Sequence, residues 1–171
     1  DQRPNVAEDF YYLNLRDRYE CKDGPFENVE ELLLVKGMSP ELFANIAAYL
    51  TVHGSGRVNL NTASPVVLRA LGLSDEGING IVFYRAGEDN REGTADDRAF
   101  SSLSAINAEL AQFVPKEDLN YLTQLAQDDL LTIKSEDFEV SLLAQTEQAK
   151  YPVHLRCVVS RSGQSKAWME Q

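Results

Sequence analysis

The chain has 171 residues, 43% of them hydrophobic and 25% charged, so it can bury a substantial core as one domain or two small ones. Its 16 basic and 27 acidic residues give a formal net charge of −11, which opposes wrapping a polyanion such as DNA. No apolar run approaches the roughly 20 residues that a membrane helix requires.

A first helical hairpin is predicted over residues 28–52. Asn28 followed by Glu31 has the spacing of a capping box, in which each side chain satisfies a backbone N–H group at a helix start. A second start follows at Ser39, because serine is a good N-cap and the proline after it is tolerated in the first helical turn. We therefore expect two consecutive helices in this part of the chain.

The central stretch passes from a strand pattern to a helix pattern. Val58 and Leu60 alternate with asparagines, which is typical of an extended segment. Ser64, which precedes a proline, predicts a helix start, and Gly72 predicts that the helix ends in a left-handed conformation. A further start at Ser74 completes a helix, a glycine turn and a second helix, which is the arrangement of a helix-hairpin-helix unit.

Two more helix starts follow, near residue 102 and at Pro115. The pattern at residues 26–32, a phenylalanine followed at three-residue intervals by two aliphatic side chains, recurs at residues 100–106. Either the chain contains a duplicated hairpin, or helix-start chemistry recurs without duplication. Both alternatives give a compact helical domain that ends near residue 127.

From residue 128 the hydrophobic period changes from helical to alternating, with the best strands expected at 138–143 and 153–159. A turn then leads into a third strand. We therefore expect an α+β fold, with a helical domain of helix-hairpin-helix-like units over residues 1–127 and a small antiparallel sheet over residues 128–171. Such a sheet cannot bury one face alone, so it needs the helical domain, a missing helix or a partner to cover it.

The acidic loop over residues 88–98, between the central hairpin and the next helix, is the best candidate site, since Glu92 and three aspartates stand close together around Gly93. Calcium takes roughly six to eight oxygen ligands from carboxylates and backbone carbonyls on a flexible loop. The loop allows this, although its spacing is not that of an EF-hand. The alternative is a solvated acidic loop whose charge is partly neutralised by Arg85, Arg91 and Arg98. The candidate calcium ligands are Asp89, Arg91, Thr94, Asp96 and Asp97.

Catalysis has little support, and we assign no catalytic residue, cofactor loop or small-molecule substrate. His53 lies in a glycine-rich linker and His154 on a predicted strand, and neither has a serine or cysteine in a known nucleophile context. The two cysteines, Cys21 and Cys157, lack metal-binding or redox spacing, and a disulfide between them stays open. Backbone amides of a hairpin turn can bind DNA phosphates, but acidic residues stand where phosphates would approach.

The stretches Phe26 to Met38 and Val58 to Ala63 are the most specific parts of a likeness that runs from about residue 7 to the C-terminal strands. With them the chain resembles the K-type minor pseudopilin of type II secretion (GspK). The resemblance implies a large α-helical domain inserted into a pilin-like fold, with the final strands completing the pilin sheet. It also implies a calcium site in the inserted domain, and we extend this expectation only to the acidic loop.

The resemblance implies a structural function in the periplasm. A protein of this family caps the tip of the pseudopilus with two other minor pseudopilins, of types I and J, and primes its assembly for protein secretion across the outer membrane. The family's N-terminal membrane helix and the first part of its pilin fold have no counterpart here. We therefore expect a fragment of a protein anchored to the inner membrane, whose sheet lacks its packing helix.

One alternative comes from a different class of protein. The Val-Asn-Leu-Asn-Thr-Ala-Ser sequence at residues 58–64 is shared with helix-hairpin-helix nucleic-acid-binding modules of the competence-protein type. The acidic balance and the C-terminal strands favour the pseudopilin and an absence of nucleic-acid partners. Salt-dependent affinity for double-stranded DNA would favour the alternative.

Overall fold

The computed structural model describes residues 9–145 and 152–170, with side chains described up to residue 167. The chain divides into two compact units, Asp1–Val52 and His53–Gln171. The division between these units falls between residues 52 and 53, whereas the sequence predicts a boundary at residue 127. That boundary marks the change from helices to strands and, as a domain boundary, stays a prediction. Within the described residues, no helix has the length and apolar character needed to cross a membrane.

The first unit is built from short helical segments. They are α1 (Asp9–Tyr12), a 3-10 helix (Val29–Leu34), α2 (Pro40–Ile46) and a second 3-10 helix (Ala47–Tyr49). The predicted capping box is present, since the Asn28 and Glu31 side chains each accept a hydrogen bond from the other's backbone N–H. It opens a six-residue 3-10 helix, a form that is common in such short pieces.

Tyrosines hold this unit together. Among the described residues of this unit, Tyr12 is the one hydrophobic residue that is buried. The centre of its ring lies 5.0 Å from that of Tyr19. The Tyr12 hydroxyl accepts a hydrogen bond from the Lys36 backbone N–H, and the Tyr19 hydroxyl donates one to the Leu34 carbonyl. These bonds fix the C-terminal end of the first 3-10 helix, Val29–Leu34, against the preceding part of the chain without a broad aliphatic core.

The second unit contains the predicted central hairpin, formed by α3 (Pro65–Ala70) and α4 (Asp75–Arg85). Ser64 and Ser74 cap the two helices as expected, each accepting a hydrogen bond from a backbone N–H three residues later. Gly72 adopts the predicted left-handed conformation with φ of 102°. The remaining helical segments are a 3-10 helix (Leu103–Ala105), α5 (Ile106–Leu110) and α6 (Lys116–Gln127).

Two short strands close the helical core. β1 (Val58–Asn59) pairs in parallel with β2 (Leu131–Thr132), so the segment before the hairpin joins the segment after α6. Both segments were expected to be extended, but their pairing was not predicted. The largest fully buried side chains of the core are Leu60, Leu68, Ile78, Ile81, Leu110, Leu122 and Leu131.

The C-terminal part is the predicted antiparallel sheet, which confirms the α+β fold class. β3 (Asp137–Ala144), β4 (Val153–Ser160) and β5 (Ser165–Glu170) lie in the order β3-β4-β5. Cys157 lies buried in β4 as a free thiol, so the disulfide that the sequence left open is not formed.

The two faces of this sheet differ in character, because directly paired residues of antiparallel strands share a face. One face carries Glu139, which forms an ion pair with Arg156, and Ser141, which is hydrogen-bonded to His154. The opposite face, called the apolar sheet face below, is formed by Phe138, Val140, Leu142, Ala144, Val153, Leu155, Cys157 and Val159. On it, Leu142 is 50% exposed.

Candidate metal centre

The acidic loop begins where α4 ends, and Arg85 at that end fixes it to the core. The Arg85 side chain is buried, and its Nη1 donates to the carbonyls of Leu60 (3.2 Å) and Ala63 (2.8 Å). Its Nε lies 2.9 Å from Glu92 Oε1, and Nη2 donates to the same oxygen. One guanidinium therefore connects the middle of the loop to the segment that precedes α3.

The far end of the loop is fixed as well. The Arg98 backbone N–H donates to the Arg85 carbonyl at 2.9 Å. The Asn61 side chain accepts a hydrogen bond from the Phe100 N–H (2.7 Å) and donates to the carbonyls of Phe100 and Ile133. The second asparagine of the Val-Asn-Leu-Asn stretch thus positions the chain where it leaves the loop.

Asp96 closes the loop on itself. Its Oδ2 accepts hydrogen bonds from the backbone N–H groups of Glu88 (2.6 Å) and Asp89 (3.0 Å). Gly87, with φ of 67°, permits this approach, because a Cβ at that position would lie 2.5 Å from Asp96 Oδ2. The Asp89 N–H, followed by the Thr94 hydroxyl and the Glu88 N–H, lowers the pKa of Asp96 to about 2.

All five predicted ligand residues meet at the Thr94 hydroxyl. Its oxygen lies 2.8 Å from Asp96 Oδ1, 3.1 Å from the Arg91 carbonyl, 3.3 Å from Asp89 Oδ1 and 3.4 Å from Asp97 Oδ1. A hydroxyl carries a single proton, so it donates fully to one of these four acceptors. The other acceptors are left facing an electron-rich centre.

Backbone amides orient two of these carboxylates. Asp89 Oδ1 accepts from the Arg91 N–H at 2.9 Å, and Asp97 Oδ2 accepts from the Gly93 N–H at 2.7 Å. Gly93 has φ of 91°, which supplies the sharp reversal expected from the sequence. The loop therefore presents carboxylate, carbonyl and hydroxyl oxygens, which are the ligand types that calcium prefers.

Glu92 does not join this group of oxygens. Sequence proximity placed it with the three aspartates, whereas its carboxylate is engaged by Arg85. Across the described ranges, no group of three or more His, Cys, Asp or Glu side chains is placed so that it could hold a metal ion by itself. Calcium at this loop would therefore need the Arg91 carbonyl or the Thr94 hydroxyl in addition to carboxylates.

The turn of the central hairpin is arranged differently from a phosphate site. The backbone N–H groups of Gly72 and Leu73 donate to carbonyls of the preceding helix. The Ser74 N–H donates to Asp118 Oδ1 at 3.0 Å, and the Ser74 hydroxyl donates to Asp118 Oδ2 at 2.5 Å. A buried carboxylate thus occupies the position where a phosphate would bind, which opposes nucleic-acid binding by this turn.

Comparisons with known proteins give a family match and a structural match. Residues 1–55 match the family model described as type II secretion system (T2SS), protein K. The fold matches one chain of the crystal structure of the GspK-GspI-GspJ complex from the enterotoxigenic Escherichia coli type 2 secretion system, with a TM-score of 0.62 and 15% sequence identity. The match covers 96% of this chain and 55% of that chain. No curated protein matches the chain significantly.

The two matches agree with each other and with the resemblance found in the sequence. The family match covers the first unit and the start of the second, and the structural match extends through the helical core to the C-terminal sheet. Residues 1–55 are therefore similar in sequence to type II secretion protein K, and the chain as a whole is similar in fold to a chain of the GspK-GspI-GspJ complex.

Proposed function

We propose that the protein is a structural minor pseudopilin at the tip of the type II secretion pseudopilus. In this role it assembles with minor pseudopilins of types I and J and supports pseudopilus assembly and secretion across the outer membrane. The observation that carries the proposal is the fold match over 96% of the chain to a chain of the GspK-GspI-GspJ complex. The match of residues 1–55 to protein K supports it independently.

The proposal includes a location and a kind of activity. Pseudopilins work in the periplasm, and the resemblance implies an inner-membrane anchor formed by an N-terminal helix in the full-length protein. A structural role needs surfaces for partners instead of a catalytic centre. The Ser141–His154 pair, the one nucleophile-and-base contact noted above, lies on the sheet surface, with 2.7 Å between Oγ and Nε2.

The apolar sheet face fits this role. Phe138 is 44% exposed and Leu142 is 50% exposed, and both lie among aliphatic neighbours on the paired strand. Transfer of such side chains from water is favourable by about 25 cal/mol per Å² of buried apolar surface. In a pilin-like fold this face receives the packing helix, so we propose that the full-length protein covers it in that way.

Calcium binding by the acidic loop is a second part of the proposal. The convergence of Asp89, Arg91, Thr94, Asp96 and Asp97 on one hydroxyl supports it, because a cation there would satisfy acceptors that one proton cannot. When bound, calcium supplies positive charge that neutralises the carboxylates of the loop. Asp89 and Asp97 are held in place for this by their backbone donors.

Deletion of the gene from its own bacterium tests the secretory role. We expect the deletion strain to stop releasing type II substrates, and the full-length gene to restore their release. A full-length gene with Leu142→Asp should fail to restore secretion, because the substitution puts a charge on the apolar sheet face. Leu143→Asp is the matched control, since Leu143 is 71% exposed on the opposite face. Normal secretion by the deletion strain would refute the proposal.

A further inference from the structure

The acidic loop is held by a side chain that is not a candidate ligand. Arg85 is only 5% exposed, and its hydrogen bonds run to the core on one side and to Glu92 on the other. The backbone carbonyl of the same residue accepts a hydrogen bond from Arg98, where the chain leaves the loop. A single residue of α4 therefore holds both the middle of the loop and its exit.

We propose that Arg85 and Glu92 form a latch that fixes the acidic loop in its ligand-presenting shape before any cation binds, and that this latch sets the affinity of the loop for calcium. The inference about affinity rests on the proposed calcium binding. Arg85 and Glu92 are positioning residues, because they act on the ion through the loop and do not touch it.

The chemistry of the pair explains why Glu92 stays on Arg85. Both Nε and Nη2 of the guanidinium donate to Glu92 Oε1, and hydrogen bonds between ionised groups are among the strongest in proteins. If Glu92 left to ligate a cation, the buried guanidinium would lose its counter-charge, which is unfavourable. The latch is therefore expected to stay closed when the aspartates bind the ion.

Preorganisation is the physical route from the latch to affinity. A loop that is mobile before binding must lose conformational freedom when the ion binds, and that loss weakens binding. The latch, together with the bonds from Glu88 and Asp89 to Asp96, removes this freedom in advance. Opening the latch should therefore weaken calcium binding even though every ligand oxygen is still present.

Two substitutions at Glu92 test the latch in chelator-treated protein. We expect Glu92→Ala to raise hydrogen exchange at the backbone amides of Asp89 and Gly93 by roughly fivefold or more, because the loop opens locally. Glu92→Gln should have a smaller effect, since its neutral amide oxygen still accepts a hydrogen bond from Arg85. Glu92 lines an open cavity of about 400 Å³, so water can replace the lost side chain. Glu88→Ala is the control, because the loop uses only the backbone N–H of Glu88.

Calcium titration of the same proteins completes the test. We expect Glu92→Ala to weaken binding roughly tenfold and Glu88→Ala to leave it within about twofold. Unchanged exchange in calcium-free Glu92→Ala would overturn the latch, and weakened affinity with unchanged exchange would make Glu92 a ligand. If the wild-type protein binds no calcium, the calcium proposal and its affinity clause fail. The exchange data still decide whether the latch holds the loop.

Discussion

In the solvent-exposed acidic loop, the hydroxyl of Thr94 lies close to acceptor oxygens of four other residues. Three carboxylates and one carbonyl point at its single proton, so the loop has more acceptors than donors at this point. The lowered pKa of Asp96, about 2, has its origin in the same loop, because two backbone amides and the Thr94 hydroxyl stabilise the ionised carboxylate. Asp96 therefore stays charged over the whole range in which the protein is expected to work.

Calcium binding should depend on individual carboxylates of this loop. We expect saturable binding of calcium to chelator-treated protein by isothermal titration, and a loss of at least roughly tenfold in affinity for Asp97→Asn, because a charged ligand is removed. The matched control is Glu88→Gln, which removes one charge from the same loop without touching the Thr94 centre. Equal losses for both variants would mean that the loop attracts calcium only through its net charge.

At this scale the sequence identified the five loop residues correctly as neighbours, because carboxylates at short spacing around a glycine meet in space. It did not identify the latch. Arg85 was interpreted as a charge that neutralises the loop, whereas the structure shows it buried and bonded to both sides. That distinction depends on where α4 ends and how the loop folds back, which residue spacing does not contain.

At the scale of elements, the helix starts were the most predictable features. Ser39, Ser64 and Ser74 each cap the helix that the sequence assigned to them, because a serine hydroxyl satisfies an otherwise unpaired N–H group in the first turn. The parallel pairing of β1 with β2 was not predictable. Its partners Val58 and Leu131 are far apart in the chain, and each segment has only two residues in the ladder.

Helix contacts inside the second unit use glycine for close approach. Gly80 lies in α4, and a Cβ at this position would stand 2.1 Å from the carbonyl oxygen of Phe113. Gly77 meets the carboxylate of Asp118 in the same way, at 2.5 Å. Helix propensity alone disfavours both glycines, so packing explains their presence better than local preference does.

Substitution at Gly80 separates propensity from packing. Propensity predicts that Gly80→Ala stabilises the helix by about 1 kcal/mol, whereas overpacking predicts a loss of about 1–3 kcal/mol. We expect the loss, measured as a lower free energy of unfolding in urea. The neighbouring Asn79→Ala is the control, because Asn79 is exposed and only propensity applies. If Gly80→Ala were as stable as Asn79→Ala, the close approach of α4 to Phe113 would be contradicted.

At the scale of the whole molecule, the order of helices before strands followed from the change in hydrophobic period near residue 128. The division into compact units did not, since it falls at residues 52 and 53 within the helical part. The acidic loop, the helical core and the sheet all belong to the second unit, and the family match lies in the first together with the start of the second. Compactness depends on tertiary contacts, which local patterns do not report.

Net charge and surface chemistry agree with the proposed role. The charge of −11 and the occupied amides of the hairpin turn oppose DNA as a partner. The apolar sheet face and the exposed leucines of the 3-10 helix in the first unit, Leu33 and Leu34, are surfaces suited to protein contacts. These features are typical of a protein that assembles with other proteins, and they oppose a nucleic-acid-binding module.

Assembly with the other minor pseudopilins tests the central claim most directly. The chain would be mixed at micromolar concentration with the periplasmic parts of the type I and type J pseudopilins of the same bacterium, and examined by size-exclusion chromatography with light scattering. We expect one complex that contains all three proteins, and no binding when the same chain is titrated with double-stranded DNA. Separate elution of the chain, together with salt-dependent DNA binding, would contradict the pseudopilin account and favour the helix-hairpin-helix module.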